Sequence, residues 1–261
     1  MNLQLNDKTA LVTGGTAGIG LEIARSLAGE GANVLITGRS QVKLDAAVAD
    51  IGEAGPVRGI LADAATAEGA TAIVRAVGEV DVLVNNLGVY ESKAFGDITD
   101  ADWLTMFETN VLSGVRLSRA YFPGMLARNW GRIIFVSSES GLMPPTDMIH
   151  YATSKTAQLA IARGLAQLAK GKNVTVNSVM PGPTRSEGIE AFLRSQASKP
   201  DAPIAEIEAE FFQKARPTSI IQRMSEAQEV ASLVTYLASP LASATTGAAV
   251  RVEGGLVPTL A

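Results

Sequence analysis

The chain contains no cysteine and only one histidine, His150, among its 261 residues. Disulfides, thiolate-bound metals, iron–sulfur clusters and a cysteine nucleophile are therefore excluded, and no all-histidine metal site can form. We predict that the protein holds no metal. A chain without cysteine also fits a cytoplasmic location, which we take as the expectation.

Positive charge is scarce as well. The chain has 22 basic and 26 acidic residues, a net charge of −4, and no basic run. This balance argues against nucleic acid and anionic membranes as partners. No stretch approaches the ~18 apolar residues of a membrane helix, and the first residues lack the pattern of a signal peptide. The expected partner is therefore a small molecule.

Hydrophobic residues make up 47% of the chain, enough for a sizeable core. Short apolar runs alternate with longer amphipathic ones, which is typical of buried parallel strands joined by helices. We predict a single α/β domain over residues 1–261, a doubly wound (Rossmann) parallel sheet of seven strands with helices on both faces. The predicted strands are 9–13, 32–37, 57–61, 81–85, 132–137, 173–179 and 248–252. The predicted helices are 18–28, 41–51, 66–77, 100–128 with an interruption near Pro123, 151–170 and 225–237.

One irregular stretch, residues 181–222, begins with Pro-Gly-Pro and contains two short helical patterns, at 187–196 and 204–214. An insertion after the carboxyl end of a strand lies where a substrate lid would be, so we predict a helical lid at about 184–222. The alternative is a surface excursion that covers the edge of the core.

A glycine-rich loop joins the first strand to the first helix, with the sequence TGGTAGIG over residues 13–20. Glycines allow a tight turn close to a pyrophosphate, and the helix N-terminus supplies N–H groups. The spacing is Gly-x-x-x-Gly-x-Gly rather than the commoner Gly-x-Gly-x-x-Gly. The alternative is a turn that only lets the helix pack on the sheet. The predicted nucleotide contacts are Gly14, Thr16, Gly18, Ile19 and Gly20.

The end of the second strand bears on the choice of cofactor. A site for NAD usually has an acid there to bind the ribose 2′-hydroxyl. Here the strand is followed by Arg39 and Ser40, which could receive a 2′-phosphate. We therefore predict NADP(H) over NAD(H). The alternative is that Arg39 is an ordinary solvated arginine.

Tyr151 and Lys155 lie four residues apart in a predicted helix, and so one turn apart on one face. A tyrosine has a pKa of about 10 and needs it lowered by ~3, or roughly 4 kcal/mol, to exchange a proton near pH 7. A unit charge ~4 Å away at an effective dielectric of ~20 supplies about 4 kcal/mol, so one lysine is sufficient. Most pairs with this spacing are nevertheless inert.

The predicted fold brings further polar residues to the same place, because the carboxyl ends of parallel strands share one edge. Ser138 ends the fifth strand, residues 85–88 end the fourth, and residues 181–184 end the sixth. Asn110 occupies the interior of a long helix, an unfavourable position for asparagine unless something requires it. This convergence is the main evidence for a functional site.

Together these residues resemble the short-chain dehydrogenase/reductase family, in its single-domain branch, including 3-oxoacyl-carrier-protein reductases. The resemblance runs from residue 8 to residue 255. The matching elements are Thr13–Gly20, Asp63, Asn85-Asn86-Leu87-Gly88, Asn110, Ser138, Tyr151-x-x-x-Lys155, Asn177, Pro181-Gly182 and Glu253-Gly254-Gly255.

The resemblance implies a catalytic role for four residues. Tyr151 would be the general acid in reduction and the base in oxidation. Lys155 would lower its pKa and hold the nicotinamide ribose, Ser138 would orient the substrate carbonyl, and Asn110 would hold a water that links Lys155 to solvent. The implied activity is an NAD(P)-dependent interconversion of a carbonyl and a secondary alcohol.

The resemblance also implies cofactor contacts. Asp63 would bond the adenine, and Asn86 and Gly88 would line the adenosine side. Pro181, Gly182, Thr184 and Ser186 would surround the nicotinamide. Leu87 departs from the usual alanine, and its side chain would either crowd the adenosine pocket or point into the core.

Two residues next to the implied catalytic residues, Glu139 after Ser138 and His150 before Tyr151, are not expected to take part in catalysis. Glu139 is expected to face solvent rather than act in catalysis. His150 is expected to be structural or solvated, and the alternative is that it lines the mouth of the substrate pocket. A serine hydrolase would need a Gly-x-Ser-x-Gly elbow, which is absent.

The substrate is less well defined by the sequence. The expected pocket walls are Leu142, Met143, Met148, Phe192, Phe211 and Phe212, although these side chains would equally well pack the lid on the core. The favoured hypothesis is the reduction of ketones or 3-oxoacyl groups, and sugar, steroid or xenobiotic carbonyls are the other options. The rival of another class is a non-catalytic dinucleotide sensor on the same fold. The resemblance further suggests a homotetramer or dimer.

Overall fold

The computed structural model describes residues 2–186 and 188–260. Within them, seven parallel strands form one sheet in the order β3-β2-β1-β4-β5-β6-β7. The strands are β1 (Thr9–Val12), β2 (Asn33–Gly38), β3 (Val57–Leu61), β4 (Val82–Asn85), β5 (Gly131–Val136), β6 (Val174–Pro181) and β7 (Ala249–Val252). The predicted doubly wound fold is confirmed, and every predicted strand boundary lies within two residues of the observed one.

Helices cover both faces of the sheet. They are α1 (Gly18–Gly29), α2 (Gln41–Gly52), α3 (Ala67–Val77), α4 (Asp100–Phe107), α5 (Ser113–Arg128), α6 (Ile149–Leu168), α7 (Ile189–Gln196), α8 (Ile204–Lys214) and α9 (Ala227–Ala238). Val12 and Val84 pack with α1, α2 and α9, whereas Leu11 and Leu83 pack with α3, α5 and α6. Successive side chains of a strand point to opposite faces, and both faces are buried, which explains the uninterrupted apolar runs.

The long helical region is interrupted at a different place from the one predicted. Helix α5 runs through Pro123, and the break is a π-helical turn at Glu108–Leu112 between α4 and α5. The widened turn is supported from α6, because Gln158 donates a hydrogen bond from its side-chain nitrogen to the main-chain carbonyl of Asn110 (2.6 Å). Such turns are frequent at functional sites.

The segment between β6 and α9 has a small core of its own, formed by Leu193, Ile207, Phe211, Phe212 and Met224. Helix α8 has the predicted bounds, and α7 begins at Ile189. The predicted start of that helix, Glu187, lies outside the described residues. Among the helices of the described chain, none is both long and apolar enough to cross a membrane.

Candidate active site

The glycine loop has a shape that only glycine adopts easily. Gly14 and Gly18 have positive φ angles of 64° and 54°. A Cβ at Gly20 would collide with the carbonyl oxygen of Gly14. Helix α1 begins at Gly18 after Ala17, which has no polar side chain to cap it, and its first turn contains no acid. Its first N–H groups therefore point out of the helix end, and the helix dipole there favours an anion. These features fit the pyrophosphate of a dinucleotide.

Asn86 holds this loop from the end of β4. Its side-chain nitrogen donates hydrogen bonds to the carbonyls of Thr13 (3.0 Å) and Gly14 (3.3 Å). The Thr13 hydroxyl accepts from the main-chain N–H groups of Asn86 and Leu87 in return. Asn86 and Gly88 also line the cavity described below. Leu87 packs against the core formed with α3 and α5, the second of its two expected orientations.

The end of β2 places a guanidinium in solvent. The Arg39 side chain is 75% exposed, and its Nη1 lies 3.9 Å from Oδ2 of Asp63. Ser40 caps α2 by accepting a hydrogen bond from the Lys43 N–H group (3.5 Å). Asp63 accepts a hydrogen bond from the N–H group of Ala65. Arg39 is thus free to turn toward a ligand, and the Ser40 hydroxyl retains its own hydrogen for donation.

Residues from six separate parts of the chain line one cavity of about 210 Å³ at the carboxyl edge of the sheet. Among the predicted site residues, the cavity is lined by Ile19, Asn86, Gly88, Ser138, Tyr151, Lys155, Pro181, Gly182, Thr184 and Ser186. Its substrate side includes Tyr90, Met148, Phe192 and Phe211. Three of the expected walls, Leu142, Met143 and Phe212, do not line this cavity. Leu142 is about half exposed, and Phe212 is buried in the small core of the α7–α8 segment.

Lys155 is buried in this cavity. Its ammonium donates a hydrogen bond to the carbonyl of Val136 (2.9 Å) and lies 5.7 Å from the centre of the Tyr151 ring. Burial lowers the pKa of Lys155 to about 8, and the nearby charge of Glu139 acts in the opposite direction. The lysine is therefore only partly protonated near pH 8.

The pKa of Tyr151 is raised rather than lowered. Burial is the largest cause, the charge of Glu139 adds to it, and hydrogen bonding with Ser138 opposes it. Desolvation of the phenolate dominates in this structure, so the expected lowering of the Tyr151 pKa by Lys155 stays a prediction. Tyr151 holds its proton, which is the form required of an acid.

Glu139 was expected to face solvent, and that prediction is wrong. The residue is only 5% exposed and lines the cavity. Its Oε2 accepts a hydrogen bond from the Ser138 hydroxyl (2.5 Å), and its Oε1 accepts one from the Ser140 hydroxyl (3.2 Å). Burial raises the pKa of Glu139, and the Ser138 hydroxyl and the Arg216 charge lower it. Its position directly after Ser138, at the carboxyl edge of the sheet, was the signal for this placement.

Asn110 lies in the π-helical turn and binds the loop that follows β4. Its Oδ1 accepts from the N–H group of Val89 (2.8 Å), and its Nδ2 donates to the carbonyl of Val89 and to the Ser154 hydroxyl (both 2.9 Å). A Cβ added at Gly88 would lie 3.3 Å from Lys155 Nζ and 3.5 Å from Asn110 Oδ1. Asn110 therefore lies next to the lysine, and its role in holding a water stays a prediction.

His150 faces away from the cavity. It is fully buried, its ring lies edge-on to Trp103 at 6.0 Å, and its Nε2 is 3.9 Å from a carboxylate oxygen of Glu91. Within the described part of the chain, neither ring nitrogen has a hydrogen-bond partner. The same residues contain no group of three acidic or histidine side chains arranged to hold a metal ion.

Comparisons with known proteins agree with this geometry. The family model for short chain dehydrogenases matches residues 8–197, and the chain belongs to this family. It is 48% identical over 261 residues to an uncharacterized oxidoreductase, YvaG, of Bacillus subtilis (strain 168), with 98% of each chain covered. It is 33% identical to the 3-oxoacyl-[acyl-carrier-protein] reductase FabG of Vibrio cholerae, covering 97% of this chain and 99% of the relative.

A solved structure gives the same result. The L-sorbose reductase of Gluconobacter frateurii, complexed with NADPH and L-sorbose, has a TM-score of 0.93 and 29% sequence identity, with all of both chains covered. The protein is therefore an NAD(P)-dependent oxidoreductase, and the alternative of a non-catalytic sensor is disfavoured.

Removing the Asn86 side chain tests its support of the glycine loop. We expect Asn86→Ala to weaken NADPH binding about tenfold or more, because two hydrogen bonds that shape the loop are lost at about 0.5–1.5 kcal/mol each. Fluorescence titration of NADPH measures the dissociation constant. Asn33→Ala, at the exposed start of β2, is the matched control. Unchanged affinity in Asn86→Ala would contradict the role of this side chain.

Proposed function

We propose that the protein is an NADP(H)-dependent reductase that interconverts a ketone and a secondary alcohol, with Tyr151 as the general acid and base. The observation that carries this proposal is that Ser138, Tyr151 and Lys155 line one cavity with Ile19 of the first turn of α1 and Pro181 at the end of β6. The proton donor and the elements proposed to bind the nucleotide therefore face the same cavity. A sensor would have no use for these three side chains together.

The residues of the chain perform the acid–base half of the reaction. When bound, the nicotinamide nucleotide supplies or accepts the hydride. Tyr151 holds its proton in the cavity and gives it to the carbonyl oxygen in reduction, or removes it from the alcohol in oxidation. The Ser138 hydroxyl has one hydrogen, which it turns from Glu139 to that oxygen when the substrate binds. The Lys155 ammonium stabilises the tyrosinate that forms. Burial makes these interactions stronger than they would be in water.

Three features support the remaining parts of the proposal. Arg39 is exposed at the end of β2, where a 2′-phosphate would be received. Thr184, Ser186, Phe192 and Phe211 line the cavity, which supports a substrate lid at about 184–222. Leu104 and Leu112 are exposed along α4 and the π-helical turn, which suits a homodimer or homotetramer. A cytoplasmic location stays a prediction.

The comparisons suggest two classes of substrate. The FabG relative is a 3-oxoacyl-[acyl-carrier-protein] reductase, and the structural neighbour is bound to L-sorbose. A 3-oxoacyl group and L-sorbose are both carbonyl compounds. Both suit a cavity whose walls are largely aromatic and apolar, with a polar end at Ser138.

Removing one oxygen atom tests the role of Tyr151. We expect Tyr151→Phe to lower kcat for ketone reduction by about 10²–10⁴-fold, because the general acid is lost. The dissociation constant of NADPH should change little. The loss of NADPH absorbance during turnover measures kcat, and a titration followed by NADPH fluorescence measures the dissociation constant. Tyr236→Phe, on the outer side of α9, is the control. Full activity in Tyr151→Phe would reject the mechanism.

The pKa of Lys155 predicts a pH dependence of nucleotide binding. Because burial lowers this pKa to about 8, the ammonium is present below pH 8 and is lost as pH rises through that value. We expect NADPH affinity to fall about tenfold between roughly pH 7 and pH 9.5, because an ammonium bonds a ribose hydroxyl more strongly than a neutral amine. Titrations across this range measure it. The decline should persist in Tyr151→Phe and disappear in Lys155→Met, and a decline that persists in Lys155→Met would contradict the assignment.

The proposed preference for NADP(H) depends on Arg39. We expect Arg39→Ala to weaken NADPH binding by about ten- to a hundredfold, because a charge-assisted hydrogen bond to phosphate contributes about 1.5–3 kcal/mol, and to leave NADH binding nearly unchanged. Paired titrations with the two nucleotides provide the ratio. Arg75→Ala, an exposed arginine of α3, serves as the control. Equal affinity of the unaltered protein for NADPH and NADH would reject the role of Arg39.

A further inference from the structure

One corner of the cavity is charged, although most of its substrate side is apolar. Glu139 and Arg216 both line this corner, which neither the general mechanism nor nucleotide binding requires. Arg216 follows helix α8, and its guanidinium carbon lies 5.4 Å from the centre of the Phe211 ring. The two charged groups come from different parts of the chain, Glu139 from the loop after β5 and Arg216 from the end of the α7–α8 segment.

The Glu139 carboxylate is adjacent to the position where a substrate carbonyl would bind. Its Oε2 is 2.5 Å from the Ser138 hydroxyl oxygen, which is the group proposed to orient that carbonyl. A hydroxyl on the carbon next to a carbonyl lies about one hydrogen-bond length, about 2.8 Å, from the carbonyl oxygen. A substrate held by Ser138 would therefore bring such a hydroxyl to Glu139.

Both charged groups can form a further hydrogen bond. Arg216 Nε is 3.8 Å from Glu139 Oε1, too far for a hydrogen bond, and it is buried without a partner among residues 2–186 and 188–260. Each carboxylate oxygen of Glu139 accepts one side-chain hydrogen bond, from Ser138 or Ser140, and so has capacity for more. A hydroxyl can donate to the carboxylate and accept from Arg216 at the same time.

Other substrates match this corner less well. A methylene in place of the hydroxyl can neither donate nor accept, and it would cover two polar groups without pairing them. The second carbonyl of a 3-oxoacyl group is one carbon further away and only accepts hydrogen bonds. The Ser140 hydroxyl donates to the carboxylate and the Arg216 charge lies beside it, so the carboxylate oxygens act as acceptors and repel a second carbonyl oxygen.

We propose that Glu139 and Arg216 form a specificity site that selects ketones with a hydroxyl group on the carbon next to the carbonyl, that is, α-hydroxyketones. This inference rests on the proposed ketone reductase activity and adds the class of substrate. The two residues bind the hydroxyl, whereas the reacting carbonyl contacts Ser138 and Tyr151. Phe192 and Phe211 bound the rest of the substrate.

A matched pair of ketones tests the proposal. Hydroxyacetone and 2-butanone have the same number of heavy atoms and differ only by a hydroxyl in place of a methyl group. We expect kcat/KM with NADPH to be at least a hundredfold higher for hydroxyacetone. Ethyl acetoacetate, a 3-oxo ester, should also be a poorer substrate than hydroxyacetone. A value for 2-butanone or the 3-oxo ester equal to or above that for hydroxyacetone would overturn the inference.

Variants then assign the preference to this corner. Arg216→Met and Glu139→Gln should each lower the ratio of kcat/KM for hydroxyacetone to that for 2-butanone at least tenfold, mainly by raising KM for hydroxyacetone. Lys214→Met, an exposed residue of α8 two positions before Arg216, should leave the ratio unchanged. A ratio unaltered in Arg216→Met and Glu139→Gln would overturn the inference even if both ketones are reduced. Turnover of none of the three compounds would instead reject the proposed function itself.

Discussion

Parallel strands end at the same edge of a sheet, and the positions of the glycine loop, Asn86 and Ser138 depend on that constraint. Between β1 and β4 the strand order reverses, so the connections leave in opposite directions and a cleft opens at the carboxyl edge. The glycine loop, Asn86 and Ser138 stand at successive strand ends along this cleft. The hydrogen bonds from Asn86 to the loop then fix the distance between two of those strand ends.

Burial determines the protonation states in the cleft. Desolvation raises the pKa values of Tyr151 and Glu139 and lowers that of Lys155, because each group is more costly to keep charged in the protein interior. The phenol therefore keeps the proton that a reduction needs. The three groups also affect one another through the charge of Glu139, which opposes ionisation of the tyrosine and favours that of the lysine. The protonation states of Tyr151, Glu139 and Lys155 are therefore coupled.

The fold and the location of the site follow from sequence patterns that have direct physical causes. Buried parallel strands need uninterrupted apolar residues, and a tight loop such as that at Gly14 and Gly18 needs positive φ angles. Other features depend on packing between distant segments. The break in the long helix is at Asn110 rather than Pro123. Gln158, far along the chain, donates a hydrogen bond to the main-chain carbonyl of Asn110 in the widened turn. Likewise, Arg216 of the distant α7–α8 segment lies beside Glu139, a contact that the sequence pattern does not indicate.

Arg39 and Glu139 differ in how freely evolution can alter them. Arg39 projects from the surface and supports no part of the core, so a different side chain there would leave the scaffold undisturbed. Glu139 lies beside two serines and an arginine, and an apolar replacement would leave the two serine hydroxyls without their acceptor. A single substitution at the exposed guanidinium therefore leaves the packing intact, whereas a change at the enclosed carboxylate requires several coordinated substitutions.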